Sequence, residues 1–191
     1  MISKSGSDFP AQLLVLTVGH STRSIEEFIG LLKAHEVTCL MDVRTVPRSR
    51  HNPQFSREAL AASLELADIR YIHMAGLGGF RHTSSPSPNA GWRNESFRGY
   101  ADYMQTPDFA GNLAKLIELA KRERVATMCA EAMPWRCHRS LIADALTVHG
   151  VRVEEIASRT RREVHALTSF AKVEGAVITY PPPLLDSWPD G

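Results

Sequence analysis

Cysteine is scarce in this chain, with three among 191 residues and no Cys-x-x-Cys pair. An odd count with no export signal argues against a disulfide framework and suits a reducing compartment. Without short knuckles, a structural zinc module is disfavoured as well. No apolar run approaches the length of a membrane span. The polar opening, Met1 to Gln12 with Gly6 and Pro10, lacks the hydrophobic region of a signal peptide. A cytoplasmic protein without a membrane partner is therefore expected. Internal repeats are absent, as are a dinucleotide-binding glycine fingerprint and a P-loop. Gly76-Leu77-Gly78-Gly79 fits neither spacing. Charge of one sign is lacking too, since 22 basic and 21 acidic residues leave a formal net charge of +1.

That near-neutrality hides an uneven distribution. Arg44, Arg48 and Arg50 fall in an eight-residue stretch with no acid, and Arg81, Arg93 and Arg98 share the next long loop with Glu95 alone. The acids concentrate in segments with helical periodicity, such as Glu26, Glu27, Glu58, Glu65 and Glu118. A neutral protein built this way can still present a locally positive cleft.

Short apolar runs alternate with helical patterns. Leu13–Val18, Val37–Val43, Ile69–His73, Val125–Cys129 and Val151–Ile156 read as strands. Ser24 with Glu27 forms a capping box ahead of Ile25, Phe28, Leu31 and Leu32. Ser56 is placed to cap a second helix. Further helices are expected over Phe97–Met104, from Pro107 or Asp108 to Arg122, over Cys137–His149, and briefly around Val164–Ala171. The alternation predicts an α/β fold, a single compact domain with a mainly parallel sheet flanked by helices. The domain is expected over 13–172, with a flexible segment at 1–12 and an extended tail at 173–191. Gly76–Ser96 is the longest irregular stretch, and loops of that length inside a compact domain are commonly functional.

In a parallel sheet the C-terminal strand ends share one edge. His20 and Ser21, Asp42 and Arg44, His73, and Cys129 and Glu131 all follow strands and should meet there. Glu131 and Asp42 are candidate acid/base carboxylates, with His20 as a further base. Arg44, Arg48, Arg50, Arg81 and Arg139, helped by Ser21 and His138, suit a phosphate, because a guanidinium pairs with it bidentately. Trp92, Trp135, Phe80 and Tyr100 could offer a face for a stacked base. Cys137, read as lying at the start of a helix between Arg136 and Arg139, is a candidate nucleophile. Metal binding through Cys129, Cys137 and His138 is a weaker alternative, because their spacing is irregular, and no metal is assigned. The leading expectation is an enzyme for a phosphate-bearing substrate, a nucleotide or nucleic acid. The alternatives are a non-catalytic nucleotide- or nucleic-acid-binding module, or a thiol- or metal-dependent protein using Cys129 and Cys137.

Several of these segments occur together in a recognisable combination. They are Gly19-His20-Ser21, Asp42-Val43-Arg44 with Pro47 and Ser49-Arg50, Leu77-Gly78-Gly79 with Arg81, Phe97-Arg98-Gly99-Tyr100-Ala101, Cys129-Ala130-Glu131 with Cys137-His138-Arg139, and His165-Ala166-Leu167-Thr168. Across Thr17 to Thr168 the chain resembles the domain of unknown function 488 family. The resemblance implies a compact α/β domain and brings no reaction, cofactor or catalytic assignment with it.

Overall fold

A computed structural model describes residues 12–48 and 50–183. The flexible segment expected at 1–12 and the end of the expected tail, from 184, fall almost wholly outside the described residues. Five parallel strands, β1 (Leu14–Gly19), β2 (Cys39–Asp42), β3 (Arg70–His73), β4 (Val125–Cys129) and β5 (Arg152–Ile156), form the sheet. A short sixth strand, β6 (Arg162–Val164), closes one edge antiparallel to β5, and the strand order is β3-β2-β4-β1-β5-β6.

Each parallel crossover carries helix. The helices α1 (Ile25–Ala34) and α2 (Arg57–Glu65) follow β1 and β2, α3 (Glu95–Tyr103) and α4 (Pro107–Ala120) follow β3, and α5 (Arg139–Val148) follows β4. The capping box forms as read: Ser24 accepts from the Glu27 N–H while Glu27 reaches back to the Ser24 N–H. Caps of this kind are worth about 1 kcal/mol each. Ser56 precedes α2, but its side chain makes no capping bond.

The strand pleat divides the core in two. Val15, Cys39, Met41, Val125 and Cys129 face α3, α4 and α5, while Leu16, Val18, Leu40, Ala126 and Met128 face α1 and α2. The near-continuous apolar reading of these strands follows from burial on both faces.

Three expectations are corrected. No helix occupies Val164–Ala171; Arg162–Val164 pairs instead with Ile156–Glu154. A β-branched valine beside two exposed charges, Arg162 and Glu163, suits a short edge strand better than one helical turn. The stretch expected as a tail contains a hairpin, β7 (Lys172–Glu174) and β8 (Val177–Thr179), with Ile178 and Tyr180 buried against the core. The last helix also starts later than expected. Pro134–Arg136 is a 3₁₀ turn, Cys137 is extended, and the α-helix begins at Arg139. Cys137 therefore precedes the first turn by two residues.

Candidate functional site

The topology itself opens a crevice. The chain leaves β1 and β2 towards the α1/α2 face but leaves β4 towards the α5 face. Because β4 lies between β1 and β2, the loops beyond its C-terminal end part from their neighbours on both sides. A cleft of about 640 Å³ occupies this place. It is lined by His20, Ser21, Arg44, Arg48, Glu131, Arg136, Cys137 and His138, with Cys129 at its floor.

On the β1–β2 side, Asp42 is fully buried and tied to Arg44. Oδ1 accepts from the Arg44 Nε at 2.8 Å, and Oδ2 accepts from Nη2 at 2.6 Å and from the Tyr71 hydroxyl at 2.8 Å. Asp42 therefore does not line the cleft; it orients the guanidinium that does. Arg44 Nη2 also donates to the Phe55 carbonyl, while Nη1 meets His20 Nε2 at 3.4 Å. His20 stacks on Phe55 with ring centroids 4.0 Å apart, and its Nδ1 bonds the Ser21 carbonyl at 2.7 Å. Since a carbonyl only accepts, Nδ1 carries the proton and Nε2 accepts from Arg44. Burial lowers the imidazole to about 4, so His20 is neutral near pH 7 and its acceptor is already engaged.

The loop from β4 to α5 supplies the rest. Gly19 lets it approach, because a Cβ there would collide with the Glu131 carbonyl oxygen. Arg139, expected as an anion anchor, instead holds this loop from behind. It is buried, donates to the Glu131 carbonyl at 2.8 Å and the Thr17 hydroxyl at 2.8 Å, and pairs with Glu155 at 3.0 Å. Burial raises the Glu155 carboxyl to about 7, with Arg139 opposing the rise. The loop backbone is thereby held while the Glu131 side chain stays exposed in the cleft. No bond to that carboxylate is seen among the described residues.

Cys129, Cys137 and His138 meet where the loop begins and ends, their sulfurs and one ring nitrogen all lying within 4.8 Å of one another. Cys137 Sγ is 3.7 Å from His138 Nδ1, and His138 Nε2 bonds the Val43 carbonyl at 2.9 Å. The proton is therefore on Nε2, and the Nδ1 lone pair faces the thiols. A hydrogen bond from Cys129 holds the Cys137 thiol well below its ordinary range. The same bond and burial push Cys129 up. Gly79 keeps the space beside the imidazole clear, since a Cβ there would come within 3.2 Å of Nδ1.

Not every expected residue gathers here. Arg81 is spent on the backbone, its Nε donating to Gly78 and its Nη2 to Ala75 and Gly76, with the guanidinium 3.7 Å above the Tyr103 ring. Arg50 is exposed and lines no part of the cleft. Trp92 packs with Phe97, Phe170 and Tyr180, leaving Phe80, 88% exposed, as an aromatic at the rim. Arg136 does line the cleft, although the sequence marked it only as a neighbour of Cys137. A second polar cluster had escaped notice. Asp144, fully buried in α5, accepts from His165 Nε2, the Thr168 N–H and the Tyr180 hydroxyl. Its signal was a carboxylate at an otherwise apolar helical position.

A family model, "Domain of unknown function DUF488", matches residues 24–146, which is more than half of the chain. The chain belongs to the DUF488 family. No curated protein and no solved structure matches it. The DUF488 match takes in α1 through most of α5, including Asp42, Arg44 and the entire Cys129–Arg139 loop. Gly19-His20-Ser21, β5 and the His165 segment lie outside it.

Proposed function

We propose that this protein is an enzyme that binds a phosphate-bearing substrate, a nucleotide or a segment of nucleic acid, and uses Glu131 as its acid/base group. One observation carries the reading: the guanidiniums of Arg44, Arg48 and Arg136 line the same cleft as a carboxylate with no partner among the described residues. Guanidiniums suit phosphate oxygens, and Phe80 at the rim offers a ring for a base to stack on. The three free cysteines suit a cytoplasmic setting, and no described helix is long and apolar enough to cross a membrane.

Calorimetric titration with inorganic phosphate and with a nucleoside monophosphate tests the cleft. Arg48→Ala should weaken both by roughly tenfold, the loss of one exposed charge-assisted contact. Glu131→Gln should keep that binding and lose turnover across a panel of phosphate esters. Turnover surviving in Glu131→Gln, or phosphate affinity indifferent to Arg48, would remove the reading. A thiol nucleophile at Cys137 is the second reading, favoured by the 3.7 Å approach of its sulfur to an imidazole acceptor. It requires Cys137→Ser to abolish turnover while Glu131→Gln largely preserves it.

A further inference from the structure

We infer that Cys129, Cys137 and His138 form a binding site for a zinc-type divalent ion whose fourth coordination position opens into the cleft. The donor set comes first. Two thiolates and one neutral imidazole are ligands that zinc and similar borderline ions prefer, and three protein ligands with one open position are typical of catalytic rather than structural sites. The sequence spacing, with seven residues between the cysteines, argued against a knuckle. The fold overrides that argument by bringing a strand end and the residues before a helix together.

Geometry agrees. Bond lengths of about 2.3 Å to sulfur and 2.0–2.1 Å to nitrogen, at tetrahedral angles, require a sulfur–nitrogen separation of about 3.6 Å. Cys137 Sγ and His138 Nδ1 are 3.7 Å apart, and all three donor atoms fall within 4.8 Å. Closing onto one ion needs movements of no more than an ångström or so. The second shell is in place too, for His138 gives its Nε2 proton to the Val43 carbonyl and so presents Nδ1 as a lone pair. This is the usual way in which a ligating imidazole is oriented.

Charge balance points the same way. The two buried cations beside the cluster are already paired, Arg44 with Asp42 and Arg139 with Glu155, while Arg136 is exposed at the cleft. Two thiolates therefore neutralise a divalent ion without competition from an unpaired guanidinium in the core. On binding, sulfur–metal bonds replace the remaining S–H bonds and the protons pass to solvent. All three ligands line the cleft, as does Glu131, so the fourth position lies on the side where ligand oxygens enter.

The site is testable without any substrate. Full-length protein stripped with a chelator and titrated with Co²⁺ should take up one equivalent, with visible bands of a tetrahedral ion and a near-ultraviolet thiolate charge-transfer band. Zn²⁺ should displace it. Cys137→Ser should weaken binding by about 100-fold or more, beyond the range of a lost second-shell contact. In case that variant folds poorly, the wild type provides its own test: Zn²⁺ should protect Cys137 from alkylation. Absence of a thiolate–cobalt band, or alkylation of Cys137 at the same rate with and without Zn²⁺, would overturn the inference. Neither result depends on phosphate binding, so the metal site and the substrate reading can fail separately.

Discussion

Replacing Arg139 by Met tests whether this arginine is a structural clamp. The change removes the partner of the largely buried Glu155, 3.0 Å from the buried guanidinium, and the donor to the Glu131 carbonyl and the Thr17 hydroxyl. Breaking a buried ion pair from one side costs about 3–5 kcal/mol. The loss should depend on pH. Glu155 stands at about 7 in the folded protein against an ordinary 4.5. A raised folded value means that its contribution to stability is fully present below the unfolded pKa and disappears as pH rises through the folded one. In the wild type that decline amounts to about 3 kcal/mol and is complete soon above pH 7. Without the guanidinium the carboxyl rises further, so the variant keeps losing stability at pH values where the wild type has levelled off. Urea denaturation should therefore show a deficit of about 1 kcal/mol at pH 5.5, from the lost bonds to the Glu131 carbonyl and the Thr17 hydroxyl, widening to about 3–5 kcal/mol at pH 8.5. Adding Glu155→Gln should recover much of the alkaline loss. A deficit equal at both pH values, or below about 1 kcal/mol at pH 8.5, would show that Arg139 is not the counter-charge of Glu155.

Other expectations are simpler to check. Gly19→Ala should prevent the loop after β4 from seating, because its Cβ meets the backbone of Glu131; circular dichroism and cleft titration should show a destabilised, non-binding protein. Arg44→Ala should lower stability by about 3–5 kcal/mol in urea, since it strands the buried Asp42 carboxylate, and this separates it from Arg48→Ala, which should leave stability within about 0.5 kcal/mol. Asp102 is lowered despite its burial because Ser87, Asn89 and Ser84 donate to it. Its stabilisation is present above the unfolded carboxylate pKa and is lost as pH falls through the lower folded value. Asp102→Asn should abolish that acid-dependent loss in a pH titration of stability and quicken hydrogen exchange across 84–89 at neutral pH.

The strands, the order of helices and the meeting of His20, Arg44, Cys129 and Glu131 at one edge were legible because period and burial depend on local pattern. What the pattern could not carry was the direction of side chains after that edge. Asp42 and Arg139 looked like cleft groups by position, yet one is buried against Arg44 and Tyr71 and the other passes behind the loop to Glu155. Asp42 was claimed by Arg44 two residues on and by Tyr71, and Arg139 by Glu155 and Thr17, partners that no single local pattern displays together. Arg81 failed for a local reason: three carbonyls of its own turn captured it. The segment after β6 was misread because a three-residue strand offers too few residues for periodicity to register. The cysteine cluster was named from the sequence and discounted as a metal site on spacing, which does not register that a strand end and the residues before a helix meet.

The buried carboxylate of Asp144 sets a boundary for anyone wishing to trim this protein. Its three donors, from His165, Thr168 and Tyr180, all come from beyond residue 146, where the family match stops. A fragment ending there would lack β5, the neighbour of central β1, and would leave α5 with an unsatisfied charge on its inner face. Expression of the matched segment alone should give insoluble or proteolysed material, whereas a chain kept through Tyr180 should survive. The unit that sequence similarity recognises and the unit that can be cloned, crystallised or grafted are therefore different lengths of the same polypeptide.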